Sequence, residues 1–356
     1  MMRTTMLRAL AVAALFSATG APAHEHYDDA STAPSCPELK CASTVSAAFG
    51  NDGALWLVWA AGGRVSIAKS ADLGKSMSPA ATLPARELPL DNGPDARPKI
   101  AVARDGRLVV TFATRDPKFN GHAFVIASND GGLTFSPPAP IAADSPSQRF
   151  ETAAIDADGR AFVTWIDKRN VAAARKNNVP YAGATLAVAW EKSPGGALGE
   201  ATIARDNTCE CCRIAVAFAG PGKPVVVFRN IFDGGIRDHA VITFDGATPG
   251  PLDRVSDDDA KLDACPHHGP SIAIGPDGTY HVTWFALGRK LKGLFYARSQ
   301  DSGKHFSTPM PLGDGARQMS RPYVLAGADG VYLAYKTFDG ERTTIEVKSS
   351  RDGGKT

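Results

Sequence analysis

The chain has 356 residues, 35 of them glycine and 25 proline, with 39 basic against 37 acidic side chains and a formal charge of +2. That balance supplies no electropositive field for nucleic acid and no polybasic patch for a membrane surface. A chain of this length so rich in turn formers favours many short strands, with its core divided among repeated units.

Arg3 and Arg8 precede an apolar run over residues 9–16 that is too short to cross a bilayer, and Ala21-Pro22-Ala23 follows it. This layout predicts a signal peptide over residues 1–23, export to the periplasm or medium, and no membrane span. Residues 24–40 are read as an N-terminal extension and residues 41–356 as one folded domain. Cleavage after Ala23 would expose His24-Glu25-His26. There the α-amine, two backbone amides and a third-position imidazole make a four-nitrogen square suited to Cu(II) or Ni(II). Cys36 and Cys41 follow in CPELKC, and in an exported chain with six cysteines they are expected to form a disulfide.

One phrase then recurs: an apolar strand, a glycine-containing turn, and a second strand that ends in an aromatic residue. Its copies span residues 45–59, 98–112, 150–165, 214–228, 270–284 and 322–335, closing on Trp59, Phe112, Trp165, Phe228, Trp284 and Tyr335. After each aromatic come a loop, a third strand such as 122–128 or 293–299, a Gly-rich turn and a short fourth strand. Four strands in each unit of about 50–60 residues make a propeller blade, and six such units close a ring. The predicted fold is therefore an all-β, six-bladed β-propeller with four-stranded blades. The turns after the third strands read Ser70-x-Asp72-x-Gly74, Ser128-x-Asp130-x-Gly132 and Ser299-x-Asp301-x-Gly303. With these turns the chain resembles the sialidase superfamily and its Asp-box repeats over nearly its whole mature length. A last copy, Ser350-x-Asp352-x-Gly354, ends before its aromatic, so the sixth blade is expected to be incomplete at the C-terminus.

In such a ring the 1–2 and 3–4 turns lie on one face. The 2–3 loops and blade connections lie on the other, at the mouth of the central channel. All six cysteines map to that second face. Cys209, Cys211 and Cys212 lie in NTCECCRIA, before the fourth blade; Cys265, His267 and His268 lie in CPHHG, before the fifth; His239 lies at the end of a loop on the fourth. The CECC and CPHH loops should thus face each other across one seam. Two readings stay open. Pairs Cys209–Cys212 and Cys211–Cys265 would leave no sulfur for a ligand, whereas free thiolates with imidazoles would suit Cu(I) or, in a mixed set, Zn(II). In an extended segment Cys209 and Cys211 would point together and Cys212 elsewhere. The CECCR and CPHHG phrases are also similar to a group of exported, non-catalytic sialidase-like proteins associated with copper handling. That similarity implies copper as the ion, zinc as the alternative, and metal-handling proteins as partners.

The sialidase resemblance carries a second implication, a glycoside hydrolase with a glycan substrate. It would need three arginines to hold a carboxylate, a tyrosine nucleophile, an assisting glutamate and an aspartate acid/base. Arg97, Arg321, Tyr323 and Glu151 are the candidates, with Arg149 and Arg213 also on the rim. The competing expectation, which is favoured, is that these arginines pair with aspartates such as Asp95, Asp116, Asp167 or Asp238. Asp257-Asp-Asp259 could attract calcium, although a loop run of this kind is usually solvated.

Overall fold

The computed structural model describes residues 36–84, 89–261, 267–313 and 317–356. Its strands form six antiparallel sheets in simple meander order. Blade 1 holds β1 (Thr44–Phe49), β2 (Leu55–Ala61), β3 (Arg64–Ser70) and β4 (Ala81–Thr82), and blade 2 holds β5 (Lys99–Val102), β6 (Leu108–Arg115), β7 (Gly121–Ser128) and β8 (Ala139–Pro140). Blade 3 comprises β9 (Gln148–Ile155), β10 (Ala161–Asp167), β11 (Ala184–Trp190) and β12 (Thr202–Thr208), with helix α1 (Arg169–Lys176) in its 2–3 loop. Blade 4 is β13 (Ala215–Gly220), β14 (Lys223–Arg229), β15 (His239–Asp245) and β16 (Thr248–Arg254). Blade 5 is β17 (Ser271–Ile274), β18 (Tyr280–Leu287), β19 (Lys292–Ser299) and β20 (Met310–Leu312), and blade 6 has three strands, β21 (Gln318–Gly327), β22 (Gly330–Phe338) and β23 (Thr343–Ser350). The six-bladed fold and the three-stranded last blade are as the repeats predict. Among the described residues no helix is long and apolar enough to cross a membrane.

Second strands such as β10 (AFVTWID) are buried along their whole length because sheets cover both of their faces. The core is accordingly a series of layers between neighbouring blades. Val58 and Ile67 of blade 1 meet Leu108 and Phe112 of blade 2, Phe162 and Leu186 of blade 3 meet Val226 and Phe228 of blade 4, and Val225 and Val227 meet Val282 and Trp284. Leu294 and Tyr296 of blade 5 pack on Val324 and Leu333 of blade 6. The repeat-closing aromatics Trp59, Trp165 and Trp284 are wholly buried, as core rather than as a sugar platform. Across blades 2 and 3 an ion pair joins the apolar layer, where Arg107 donates to both oxygens of Glu191 at 2.8 and 2.9 Å. On blade 1, Leu39 and Ala42 cover Trp59, whose Nε1 donates to the Pro37 carbonyl at 2.9 Å. The Cys36–Cys41 disulfide closes this turn with Cα atoms 6.0 Å apart, so the compact unit takes in part of the segment read from sequence as an extension.

Four of the third strands end in a Ser-x-Asp-x-Gly turn, and each is held in the same way. In blade 2 the Ser128 hydroxyl donates to Asp130 at 2.8 Å and accepts from the Gly132 amide at 2.8 Å, while the Thr134 amide donates to Asp130 at 2.9 Å. Blades 1, 5 and 6 repeat the pattern around Asp72, Asp301 and Asp352. These donors, the Thr134 side chain foremost, hold the Asp130 carboxyl down at about 2, below its ordinary 3.8. A depressed native pKa stabilises the fold above the unfolded value and ceases to do so as pH falls through the native one. Asp130→Asn is therefore expected to lower the urea midpoint at pH 7. The deficit should shrink between about pH 4 and pH 2, because the wild type loses the same charge there. A deficit of equal size at both pH values would contradict this account.

Candidate metal centre

The connection from blade 3 to blade 4 carries the opening cysteines. β12 does not stop at the edge of its own blade. The Cys209 amide donates to the Arg229 carbonyl at 2.9 Å and the Ile231 amide to the Asn207 carbonyl at 2.7 Å, so the end of β12 pairs with the end of β14. Asn207 enters this pairing at φ 59°, a left-handed conformation that asparagine tolerates better than most residues. Gly183 (φ +67°) is required alongside, since a Cβ there would overlap the Thr208 carbonyl. The chain then turns at Glu210 and Cys211 instead of continuing extended.

This turn corrects the expected side-chain directions. Cys212 does not point away; all three sulfurs lie within 4.8 Å of one another, with Cys209 Sγ 3.4 Å from Cys211 Sγ, and all three residues are buried. Cys209 and Cys212 are free thiols. Cys211 is disulfide-bonded, so the site combines one oxidised sulfur with two available thiols. Cys265, His24 and His26 also lie outside the described residues.

The thiols sit in a cationic setting. The Cys212 thiol donates to Cys209, which pulls the Cys209 pKa down and pushes that of Cys212 up, so the two thiols titrate as a pair. Burial opposes ionisation, but Arg229 and Arg237 favour the thiolate, and Arg237 Nη1 lies 3.8 Å from Cys209 Sγ. Arg229 is itself buried at 1% exposure. Its Nη1 donates to the Arg237 carbonyl and its Nη2 to the Phe285 carbonyl, each at 2.9 Å.

The CPHHG phrase approaches from blade 5 as expected. A Cβ on Gly269 would overlap Arg213 Cγ, Arg213 Nε donates to the Pro270 carbonyl at 3.4 Å, and the His267 ring hydrogen-bonds the Cys211 backbone. His268 stacks on Phe285 with ring centroids 4.4 Å apart, its Nδ1 buried without a partner, and burial lowers its pKa to about 4. His239 is fully buried with neither ring nitrogen partnered. It lies one strand beyond the thiols, paired with Arg229 across β14 and β15, so the end of β14 lies between it and the Cys209 segment. Among the described residues, then, the sulfurs come together and no imidazole joins their group.

The other rim candidates form a separate cluster. Arg321 Nη1 lies 3.2 Å and Arg213 Nη1 3.7 Å from Asp95 Oδ1, and Arg97 is close enough for the same carboxylate to act on it. Arg149 and Arg115 both pair with Asp91. Glu151 is buried with Lys99 Nζ 4.0 Å from its Oε1, and burial raises its pKa. Tyr323 is 54% exposed. The arginines thus hold rim aspartates: Asp95 in the cluster and, elsewhere, Asp167 with Arg169 and Asp238 with Arg254. Asp116 instead meets His122. In the acidic run, Asp257 and Asp259 pair with Lys290 and Arg289, and Asp258 accepts from Trp284 Nε1. Sequence reasoning missed Arg229, although a signal was present: a charged residue directly after the core aromatic Phe228 in KPVVVFR.

No family model matches the sequence, and no curated protein is similar to it. Solved structures do match in fold. An α-L-arabinanase from Penicillium chrysogenum is 15% identical with a TM-score of 0.53 over 89% of this chain and 95% of its own. The Hadza microbial sialidase Hz136 is 15% identical with a TM-score of 0.54, over 87% of this chain and 66% of its own. The α-L-arabinofuranosidase Arb93a of Fusarium graminearum is 12% identical with a TM-score of 0.55, over 88% and 94%. The chain therefore has the sialidase-like six-bladed propeller fold, and at these identities the likeness extends to the fold alone.

Two free thiols beside a disulfide give a direct count. Denatured without reductant, the protein should react with two equivalents of a thiol reagent, falling to one in Cys209→Ser or Cys212→Ser. No reactive thiol in the wild type would show the site to be fully oxidised.

Proposed function

We propose that this propeller is an exported, non-enzymatic module that binds a soft metal ion, copper in preference to zinc, through the thiolates of Cys209 and Cys212. Its place is the periplasm or the extracellular medium, and its partners are proteins that deliver or receive the ion. The observation that carries the reading is the convergence of two free, buried thiols in a setting that stabilises a thiolate. A ligand sulfur must be deprotonated, and Arg229 and Arg237 favour that form, Arg237 Nη1 also donating to Cys209 Sγ at 3.8 Å.

The donor set supports copper. Zinc in structural sites takes four ligands at tetrahedral angles, whereas Cu(I) is well served by few soft sulfurs. Cys209 and Cys212 supply two. Cys211 would add a third only after reduction of its disulfide. His267 and His268 edge the site and could close it from blade 5, while His239 stands apart behind Arg229. His24 and His26, if exposed by processing, would form an independent Cu(II) site at the chain terminus.

Glycoside hydrolysis draws support from the fold alone. A substrate carboxylate would have to displace Asp95 from Arg213 and Arg321, and among the described residues no hydrogen bond marks the half-exposed Tyr323 as an activated nucleophile.

Anaerobic titration of the protein with Cu(I) against a competing chromophoric chelator tests the proposal. One ion per chain should be retained at the cysteine site, and Cys209→Ser/Cys212→Ser should lose it while Cys36→Ser/Cys41→Ser keeps it. Free thiols in a wild type that retains no copper would refute the reading.

A further inference from the structure

Arg229 is the least expected residue beside the thiols. A buried guanidinium is costly unless an anion compensates it, yet among the described residues Arg229 makes no ion pair. It donates to the Arg237, Phe285 and His268 carbonyls, and its Nε has no partner. The acidic groups of the neighbouring loop are committed elsewhere. Asp238 holds Arg254 at 2.6 Å and three amides of residues 258–260, and Asp258 accepts from Trp284. Asp258 acts on Arg229 only from beyond contact. Beside Asp258, the cysteine pair is a second group among the described residues that can bring negative charge to Arg229. β12 and β14 are joined where Cys209 meets the Arg229 carbonyl, and Arg229 acts electrostatically on both Cys209 and Cys212.

We propose that Arg229 is a specificity-determining residue that sets the valence of the bound ion, favouring a monovalent thiophilic cation over a divalent one. The inference rests on the metal reading above and adds to it the choice of charge. Two thiolates around a monovalent ion leave one negative charge, which the fixed positive charge of Arg229 cancels. Two thiolates around a divalent ion are already neutral. Binding that ion would leave no net negative charge on the sulfurs to offset Arg229 and would bring a further positive charge toward it. The guanidinium cannot escape by losing its proton, as a lysine could, because arginine remains charged throughout the ordinary pH range. Arg237, 3.8 Å from Cys209, acts in the same direction but is only half-buried and better screened. Arg213 is largely compensated by Asp95.

The test compares Cu(I) and Zn(II) affinities, each against a reference chelator, in the whole protein and in Arg229→Gln, Arg229→Lys and Arg237→Gln. Arg229→Gln should weaken Cu(I) and strengthen Zn(II). The ratio should move by about tenfold or more, the scale of one unit charge in a partly screened interior. Arg229→Lys should keep the wild-type order, and Arg237→Gln should move the ratio the same way by less. Wild type that binds neither ion overturns the metal reading itself. Wild type that binds copper, with Arg229→Gln leaving the ratio unmoved, overturns the role of Arg229 alone. Should Arg229→Gln not fold, the Cu(I)/Zn(II) ratio of Arg229→Lys is followed in the whole protein with rising pH; it should fall relative to the wild type as the lysine loses its proton, and parallel profiles overturn the proposal.

Discussion

A positive charge buried at the end of β14, with no carboxylate in ion-pair contact among the described residues, is the constraint on which the candidate site depends. Left alone, the Arg229 guanidinium would weigh against the native state, since carbonyl dipoles compensate a desolvated charge only in part. The neighbouring cysteine pair supplies what is missing once one thiol ionises. In turn the ionised sulfur would be unfavourable in this interior without the guanidinium. Each charge would make the other tolerable, in a site whose three cysteines are all buried.

The propeller makes that juxtaposition available. Its meander sheets send every blade connection to the same end, and the inter-blade layers of Phe162, Phe228 and Trp284 fix blades 3, 4 and 5 as rigid neighbours. The CECC turn crosses from the outer strand of one blade to the inner strand of the next, and the residues after Cys265 lean against Arg213 from the far side of blade 4. Solved glycosidases share this frame, but here the rim arginines close on Asp91 and Asp95 within the chain.

Much of the fold was legible because a propeller repeats. The closing aromatics, the glycine turns and the Ser-x-Asp-x-Gly phrases recur at a period that hydrophobic patterning alone reveals, and the Cys36–Cys41 bridge followed from compartment and spacing. The last, three-stranded blade followed from where the repeats stop. The candidate site was legible only as a set of loops. The sequence placed the CECC and CPHH loops together, but the direction of Cys212 depends on a turn at Glu210 and Cys211 that alternation cannot foresee. The separation of His239 from the thiols depends on strand register, which puts Arg229 opposite it. Arg229 passed unnoticed because a residue at a strand end reads as solvated until the neighbouring blade is seen to cover it.

X-ray absorption of the copper-loaded, reduced protein tests the central claim most directly. The account predicts a Cu(I) edge and a first shell of two sulfurs, with a third if the Cys211 disulfide has been opened. A shell dominated by nitrogen or oxygen, or a Cu(II) edge that persists under reductant, would contradict a site built on Cys209 and Cys212.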